Sequence, residues 1–303
     1  MQLAYYPGCT LKTKARNLEE PAVASLEALG LELEEMDRWN CCGAVYSLAD
    51  DDLIHQVAPV RNLIRAKERG KDRLVVLCSF CFNALKRANL LMSGDAAKRD
   101  TLNTFMDEEP DYSGEVRVLH LLELLRDEIG WEALKKKVKL PLRGLKLAPY
   151  YGCTLLRPRE VAIDDVENPT ILQDFLAALG AIPVDFPEST RCCGSYQVVS
   201  DPGDIPGYAR DILNPAVRRG AGGLVLTCPL CDYDLGKGQE ELVKNEESGG
   251  VPLFYFTQLL ALALGLDPAV CHFELNYGDP EALLREKGLL SPEGTPQKTG
   301  GKA

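Results

Sequence analysis

The sequence predicts an α/β protein made of two homologous tandem domains, each a small parallel sheet flanked by helices, related by pseudo-two-fold symmetry. Three observations predict it. Ten of the eleven cysteines fall into two copies of one pattern. The sequence around those cysteines repeats as well, as a duplication requires. Each copy alternates strand and helix patterns with Gly at helix ends, which is how a parallel sheet covered by helices reads.

The first cysteine set is Cys9, the pair Cys41-Cys42, then Cys78 and Cys81; the second is Cys153, the pair Cys192-Cys193, then Cys228 and Cys231. The intervals are 31, 35 and 2 intervening residues in the first set and 38, 34 and 2 in the second. Tyr5-Tyr6-Pro7-Gly8-Cys9-Thr10-Leu11 answers Tyr150-Tyr151-Gly152-Cys153-Thr154-Leu155, and Asn40-Cys41-Cys42-Gly43 answers Arg191-Cys192-Cys193-Gly194. Leu74-Val75-Val76-Leu77 enters Cys78 as Leu224-Val225-Leu226-Thr227 enters Cys228.

Taken in order, Leu3 to Tyr6 reads as a strand and Glu20 to Leu29 as a helix ending at Gly30. Leu31 to Met36 alternates as a half-buried strand before the first cysteine pair. A helix from Leu53 to Arg69 stops at Gly70; the strand Leu74 to Leu77 and a helix from Cys81 to Leu91 follow. Val116 to Gly130 reads as a strand running into a helix, and Lys135-Lys136-Lys137 as an exposed helix face. The second half repeats the scheme: strand Leu145 to Tyr150, helix Pro169 to Leu179 capped by Gly180, strand Ile182 to Phe186, helix Ile205 to Arg219, strand Leu224 to Thr227. Cys9, Cys78, Cys153 and Cys228 each fall at the end of a strand, where ligands gather in such sheets. The expected domains are 1–143 and 144–287, each with its own core, with a disordered tail over 288–303.

Composition narrows the class. At 303 residues, 46% hydrophobic and 26% charged, the chain is an ordinary globular one. A net charge of −11 argues against a general nucleic-acid binder. Met1-Gln2-Leu3-Ala4-Tyr5-Tyr6 has no basic start or cleavage region, so no signal peptide is read and a cytoplasmic location is expected. In a reducing compartment ten patterned thiols point to metal or redox chemistry. The apolar run Val251 to Leu266 contains Thr257 and Gln258 and is too short to span a membrane, leaving core or a docking face for a partner subunit.

A structural zinc site takes four ligands, commonly from two Cys-x-x-Cys knuckles. Each half here has one knuckle, one isolated cysteine and one adjacent pair. Two neighbouring thiolates can hardly reach one ion, but they suit a cluster with several irons, and thiolates are the usual holders of iron–sulfur clusters. The alternatives are a zinc site using four of the five, and a redox dithiol at each Cys-x-x-Cys.

At these residues the chain resembles the CCG-domain family, and within it the catalytic B subunits of heterodisulfide reductase (HdrB-like). The resemblance covers roughly residues 1 to 285 and extends to Leu156-Arg157-Pro158 and Glu167-Asn168-Pro169. It implies one noncubane [4Fe-4S] cluster, a fused double cluster, on each set of five. It also implies a disulfide cleaved in a cavity between the two clusters. The implied electron supply is an iron–sulfur C subunit (HdrC-like) fed by a flavin-containing A subunit (HdrA-like). Methanogen subunits read Cys-Cys-Pro in the first motif, whereas this chain has Cys41-Cys42-Gly43. The resemblance therefore implies the clusters, and a disulfide of the coenzyme M–coenzyme B type or an analogous one.

Basic residues follow the first cysteine of each set: Lys12, Lys14 and Arg16, then Arg157 and Arg159. They are candidates for a paired anion site on the substrate, against the plainer reading of solvated residues at a helix entry. His55, His120 and His272 lack ligand-like spacing, and His120 stands where the second half has Tyr255, which suggests packing. Cys271 reads as a small apolar filler. Tyr46 and Tyr196, each shortly after its Cys-Cys-Gly, read as aromatic lining. Three functions follow: a disulfide-reducing catalytic subunit, an electron-relay subunit using the same clusters, and a zinc-stabilised interaction module.

Overall fold

The computed structural model describes residues 2–44, 52–196, 202–245 and 250–291. The first half contributes strands β1 (Gln2–Tyr6), β2 (Glu32–Glu35), β3 (Arg73–Val76) and β4 (Arg117–His120). Its helices are α1 (Arg16–Ala28), α2 (Val57–Glu68), α3 (Ser79–Gly94), α4 (Ala96–Phe105), α5 (Leu121–Leu124, running on as a π-turn) and α6 (Trp131–Lys137). The second half gives β5 (Lys146–Pro149), β6 (Ile182–Pro183), β7 (Gly223–Leu226) and β8 (Leu253–Tyr255). Its helices are α7 (Ile171–Ala178), α8 (Ile205–Arg218), α9 (Pro229–Lys244), α10 (Phe256–Ala263) and α11 (Pro280–Glu286).

Each half is a four-stranded parallel sheet, in the orders β2-β1-β3-β4 and β6-β5-β7-β8. The central strands are apolar on both faces because helices cover both; Leu74, Val75 and Val76 are buried, as are Leu224, Val225 and Leu226. Strand register fixes the correspondence of the halves. Ala4 pairs with Leu74 and Ala148 with Leu224, so Tyr6 answers Tyr150 and Pro7 answers Tyr151. The tyrosine pairs of the two motifs are thus offset by one residue. His120, at the end of β4, answers Tyr255 at the end of β8. Its neutral ring hydrogen-bonds the Leu77 carbonyl through Nε2 at 3.0 Å and accepts from the Leu122 amide through Nδ1. It is a packing residue.

The helix after the first strand of each half packs on the far end of the other half. α1 lies against α10, with Thr257 Oγ1 donating to the Leu18 carbonyl at 2.8 Å. α7 lies against α6, through Trp131 and Phe175, whose rings are 6.2 Å apart. One continuous hydrophobic interior results, running from Leu3 to Leu290, which corrects the expectation of separate cores. The apolar helix Phe256–Ala263 is buried throughout, so its grease is core and not a docking face. Leu289 and Leu290 are buried as well, so the packed chain extends past 287, the expected end of the second domain; residues 292–303 lie outside the described residues. Among the described residues, no helix is long and apolar enough to cross a membrane.

Candidate metal centre

In each sheet the strand order reverses between the two central strands, β1 and β3 or β5 and β7. The carboxyl ends of strands at such a reversal open a crevice that loops cannot close, which is where ligands bind in this architecture. Cys9 and Cys78 follow the ends of β1 and β3, and Cys153 and Cys228 follow the ends of β5 and β7. Cys78 and Cys228 are the N-cap residues of α3 and α9, which places Cys81 and Cys231 on the first turns of those helices. Helix N-termini favour negative charge and so favour thiolates. The two adjacent pairs enter from the loops after β2 and β6.

The sulfurs converge. In the first set Cys9 Sγ lies 3.9 Å from Cys41 Sγ, and Cys42 Sγ 3.5 Å from Cys81 Sγ. Cys41 and Cys81 also stand close enough to Cys42 and Cys78, respectively, to shift their ionisation. The second set copies this arrangement: Cys193 Sγ lies 3.4 Å from Cys231 Sγ, and Cys153 and Cys193 both act on the ionisation of Cys192. Cys78 and Cys228 shift one another's ionisation, so the two sets approach each other at these residues. The outer members, Cys9 and Cys41, are exposed, and Cys153 and Cys192 are half-buried; the inner six are buried. Cys271 stays apart, its thiol facing the Gln258 carbonyl at 3.6 Å.

Local devices hold this shape in both halves. Gly8 and Gly152 have φ of +75° and +63°, and a Cβ there would stand 3.0 Å from Cys81 Sγ or 3.2 Å from Cys231 Sγ. Only glycine allows both the turn and the close approach. Tyr6 Oη donates to the Asn40 carbonyl at 2.8 Å, and Tyr150 Oη donates to the Arg191 carbonyl at 2.6 Å. Each hydroxyl ties a central strand to the residue just before a cysteine pair.

Electrostatics shows what the sulfurs require. Bonds from Cys41 and Cys81 push the buried Cys42 thiol down, and bonds from Cys228 and Cys81 push Cys78 down. Cys81 goes up through its contacts with Cys42 and Cys78, and Cys231 through those with Cys193 and Cys228. In the second set bonds from Cys153 and Cys193 hold Cys192 down, with the Arg157 guanidinium adding to the effect. So many thiolates cannot ionise together in a buried site without cations among them. Five soft donors per set, gathered at one edge of each sheet, suit a cluster of several irons. Among the described residues, no three His, Cys, Asp or Glu side chains are arranged around a single ion.

The candidate anion-binding residues part company. Lys12 is held between Glu19 (2.8 Å) and Glu35 (2.5 Å), and Arg16 reaches Glu20 and His272. Lys14 is exposed. The Asn168 and Glu167 amides hold the Asp165 carboxyl low, with a smaller contribution from the charge of Arg159. Arg157 alone of these stands beside a thiol, and its guanidinium also donates to the Thr190 carbonyl at 3.0 Å. Tyr196 packs on Phe80, ring centroids 5.6 Å apart, while Tyr46 lies outside the described residues.

Two polar residues at the second set escape a reading of the motifs. Ser195 Oγ is 2.8 Å from Cys193 Sγ, and Asp234 Oδ2 is 3.6 Å from the same sulfur. Setting Cys42-Gly43-Ala44 beside Cys193-Gly194-Ser195, and Cys81 to Ala84 beside Cys231 to Asp234, exposes both as changes from alanine.

Fold and site together define a duplicated α/β protein with one five-thiol set per half. The chain belongs to the CCG family, the cysteine-rich domain, which matches residues 3–86 and 147–236. It is 35% identical over 268 residues to the 8-methylmenaquinol:fumarate reductase membrane anchor subunit of Wolinella succinogenes, covering 88% of this chain and 93% of the relative. It is 30% identical over 288 residues to the B subunit of the ferredoxin/F420H2-dependent CoB-CoM heterodisulfide reductase of Methanosarcina acetivorans, covering 91% and 93%. A hypothetical protein from Helicobacter pylori shares the fold with a TM-score of 0.73 at 14% identity, over 91% of this chain and 51% of that one.

Proposed function

We propose that this chain is an iron–sulfur subunit of a heterodisulfide reductase-like oxidoreductase complex. Each five-cysteine set holds one noncubane [4Fe-4S] cluster, and a disulfide is reduced between the two. The observation that carries this reading is the gathering of five thiols in each half, with Sγ contacts of 3.9 and 3.5 Å in the first set and 3.4 Å in the second. The relationship to the B subunit of a heterodisulfide reductase, over nearly the whole of both chains, supports it.

When bound, such clusters supply one-electron redox chemistry and iron sites for sulfur. The chain's own residues do the rest. Ten thiolates hold the two centres, and Gly8 and Gly152 let the backbone pass close to Cys81 and Cys231. Tyr6 and Tyr150 fix the loops that carry the adjacent pairs. Arg157 places positive charge beside the half-exposed Cys192, a position suited to an anionic group on a substrate. Disulfide reduction needs two electrons and leaves two sulfurs to be stabilised, and paired sites answer that need. An HdrC-like iron–sulfur subunit and an HdrA-like flavin subunit would bring the electrons.

A second reading has its own support. The relationship to a fumarate reductase subunit at 35% identity favours an electron-transfer subunit that uses the same clusters without disulfide chemistry. Steady-state reduction of a panel of anionic disulfides by reduced viologen, with iron quantified, separates the two. Cleavage between the sets predicts that Cys9→Ala and Cys153→Ala each abolish turnover while the opposite set keeps its iron. Substantial turnover by either variant contradicts the two-centre reaction, and no turnover by the intact protein on any disulfide favours the relay.

A further inference from the structure

The duplication is not chemically symmetric. Around the first set the positions after the adjacent pair and on the following helix are Ala44 and Ala84; around the second they are Ser195 and Asp234. Asp234 is only 1% exposed, on the face of α9 that carries Cys231. Its Oδ2 lies 3.6 Å from Cys193 Sγ. Its Oδ1 is buried with no hydrogen-bond partner among the described residues. A buried carboxylate oxygen left unpaired is costly, and natural proteins keep such a group mainly where it meets an ion or a reacting group.

From this geometry we infer that Asp234 supplies an oxygen ligand to the second centre, so that the two centres of the chain are different in kind. The inference rests on the reading that the second thiol set holds an iron–sulfur cluster. Iron accepts carboxylate as well as thiolate ligands, and exchanging ligand type on a cluster iron changes its potential. Ser195 Oγ, 2.8 Å from the same Cys193 Sγ that Asp234 Oδ2 approaches at 3.6 Å, adds a second polar group on that sulfur's side of the site. The alanines of the first set offer no such donor, so among the described residues the first centre is held by sulfur alone. Two centres of unequal potential would take up electrons in a fixed order, which two identical ones would not.

The test uses the full chain, purified anaerobically and enriched with 57Fe. Mössbauer spectra should show one oxygen-ligated iron site in the wild-type protein. Asp234→Ala and the nearly isosteric Asp234→Asn should both remove that site and shift the reduction potential of one centre, leaving the other unchanged. Iron and acid-labile sulfide should stay at wild-type levels in Asp234→Asn, because all ten thiols remain. Asp234→Cys should restore a ligand with an all-sulfur spectrum. Wild-type and Asp234→Asn spectra that superimpose, with iron fully present, would overturn the inference and leave the cluster reading intact. A wild-type protein without iron or sulfide would instead sink the reading on which it rests.

Discussion

Ser79 Oγ and Thr227 Oγ1 lie 2.7 Å apart, both buried, where the two halves meet. Ser79 also directs its amide and its hydroxyl at the Thr227 carbonyl, at 3.3 and 3.1 Å. Ser79 follows Cys78 and Thr227 precedes Cys228, so this contact presses the inner thiols of the two sets together. Removing either hydroxyl leaves its partner buried, at a cost of roughly 1–3 kcal/mol. Ser79→Ala should cost about that much, Thr227→Val less because the Ser79 hydroxyl keeps the Thr227 carbonyl, and the double variant less than their sum. Urea unfolding of the anaerobic protein, followed by tryptophan fluorescence, measures the cycle; simple additivity would show that the contact contributes nothing specific.

Gly8→Ala and Gly152→Ala should each damage one centre. At each position a Cβ meets a cysteine sulfur, that of Cys81 or Cys231, and the backbone lies in the left-handed region. The expected result is loss of about half the bound iron, from the mutated half alone, with strain of about 1–3 kcal/mol. Iron analysis and electron paramagnetic resonance of the remaining centre check it.

Burial holds His120 neutral, pushing its pKa from 6.5 to about 3. The unfolded chain binds a proton near pH 6.5 that the folded chain refuses. The stabilisation is therefore present above 6.5 and is lost as pH falls from there toward 3. At pH 5 the loss from this residue is about 2 kcal/mol relative to pH 8. His120→Gln should flatten that part of the stability–pH curve by the same amount, and urea midpoints at the two pH values read it directly.

Cys271→Ser should leave the iron content unchanged, since its thiol faces the Gln258 carbonyl away from both sets. Cys42→Ser or Cys193→Ser should lose or convert the cluster on its own side. Iron loss caused by the Cys271 change alone would show the ligand sets to be misassigned.

Most of the architecture was legible because its signals are local. Short apolar runs ending in cysteine gave the central strands, and glycines gave the helix ends at Gly30, Gly70 and Gly180. The strand expected over Ile182 to Phe186 is only Ile182–Pro183, since a proline cannot donate to the ladder and a 3-10 turn begins at Pro187. Helix Ala96–Phe105 went unread because only Leu102 of its ten residues is buried, leaving no apolar stripe; the Asp95 N-cap was its one signal. The shared core was invisible for a different reason. Which half an apolar helix faces is decided by tertiary packing, and the runs Phe256–Ala263 and Arg16–Ala28 look alike whichever way they turn. At the site, the thiols were evident from spacing, while the partners of Lys12 and the burial of Asp234 depend on contacts far apart in sequence.

The central claim, that ten cysteines in two sets hold two iron–sulfur clusters, is tested most directly by quantifying iron, acid-labile sulfide and zinc in the anaerobically purified chain. Two four-iron clusters predict about eight irons and a similar amount of sulfide per chain, with essentially no zinc. One or two zinc ions, no sulfide and an intact fold would contradict it.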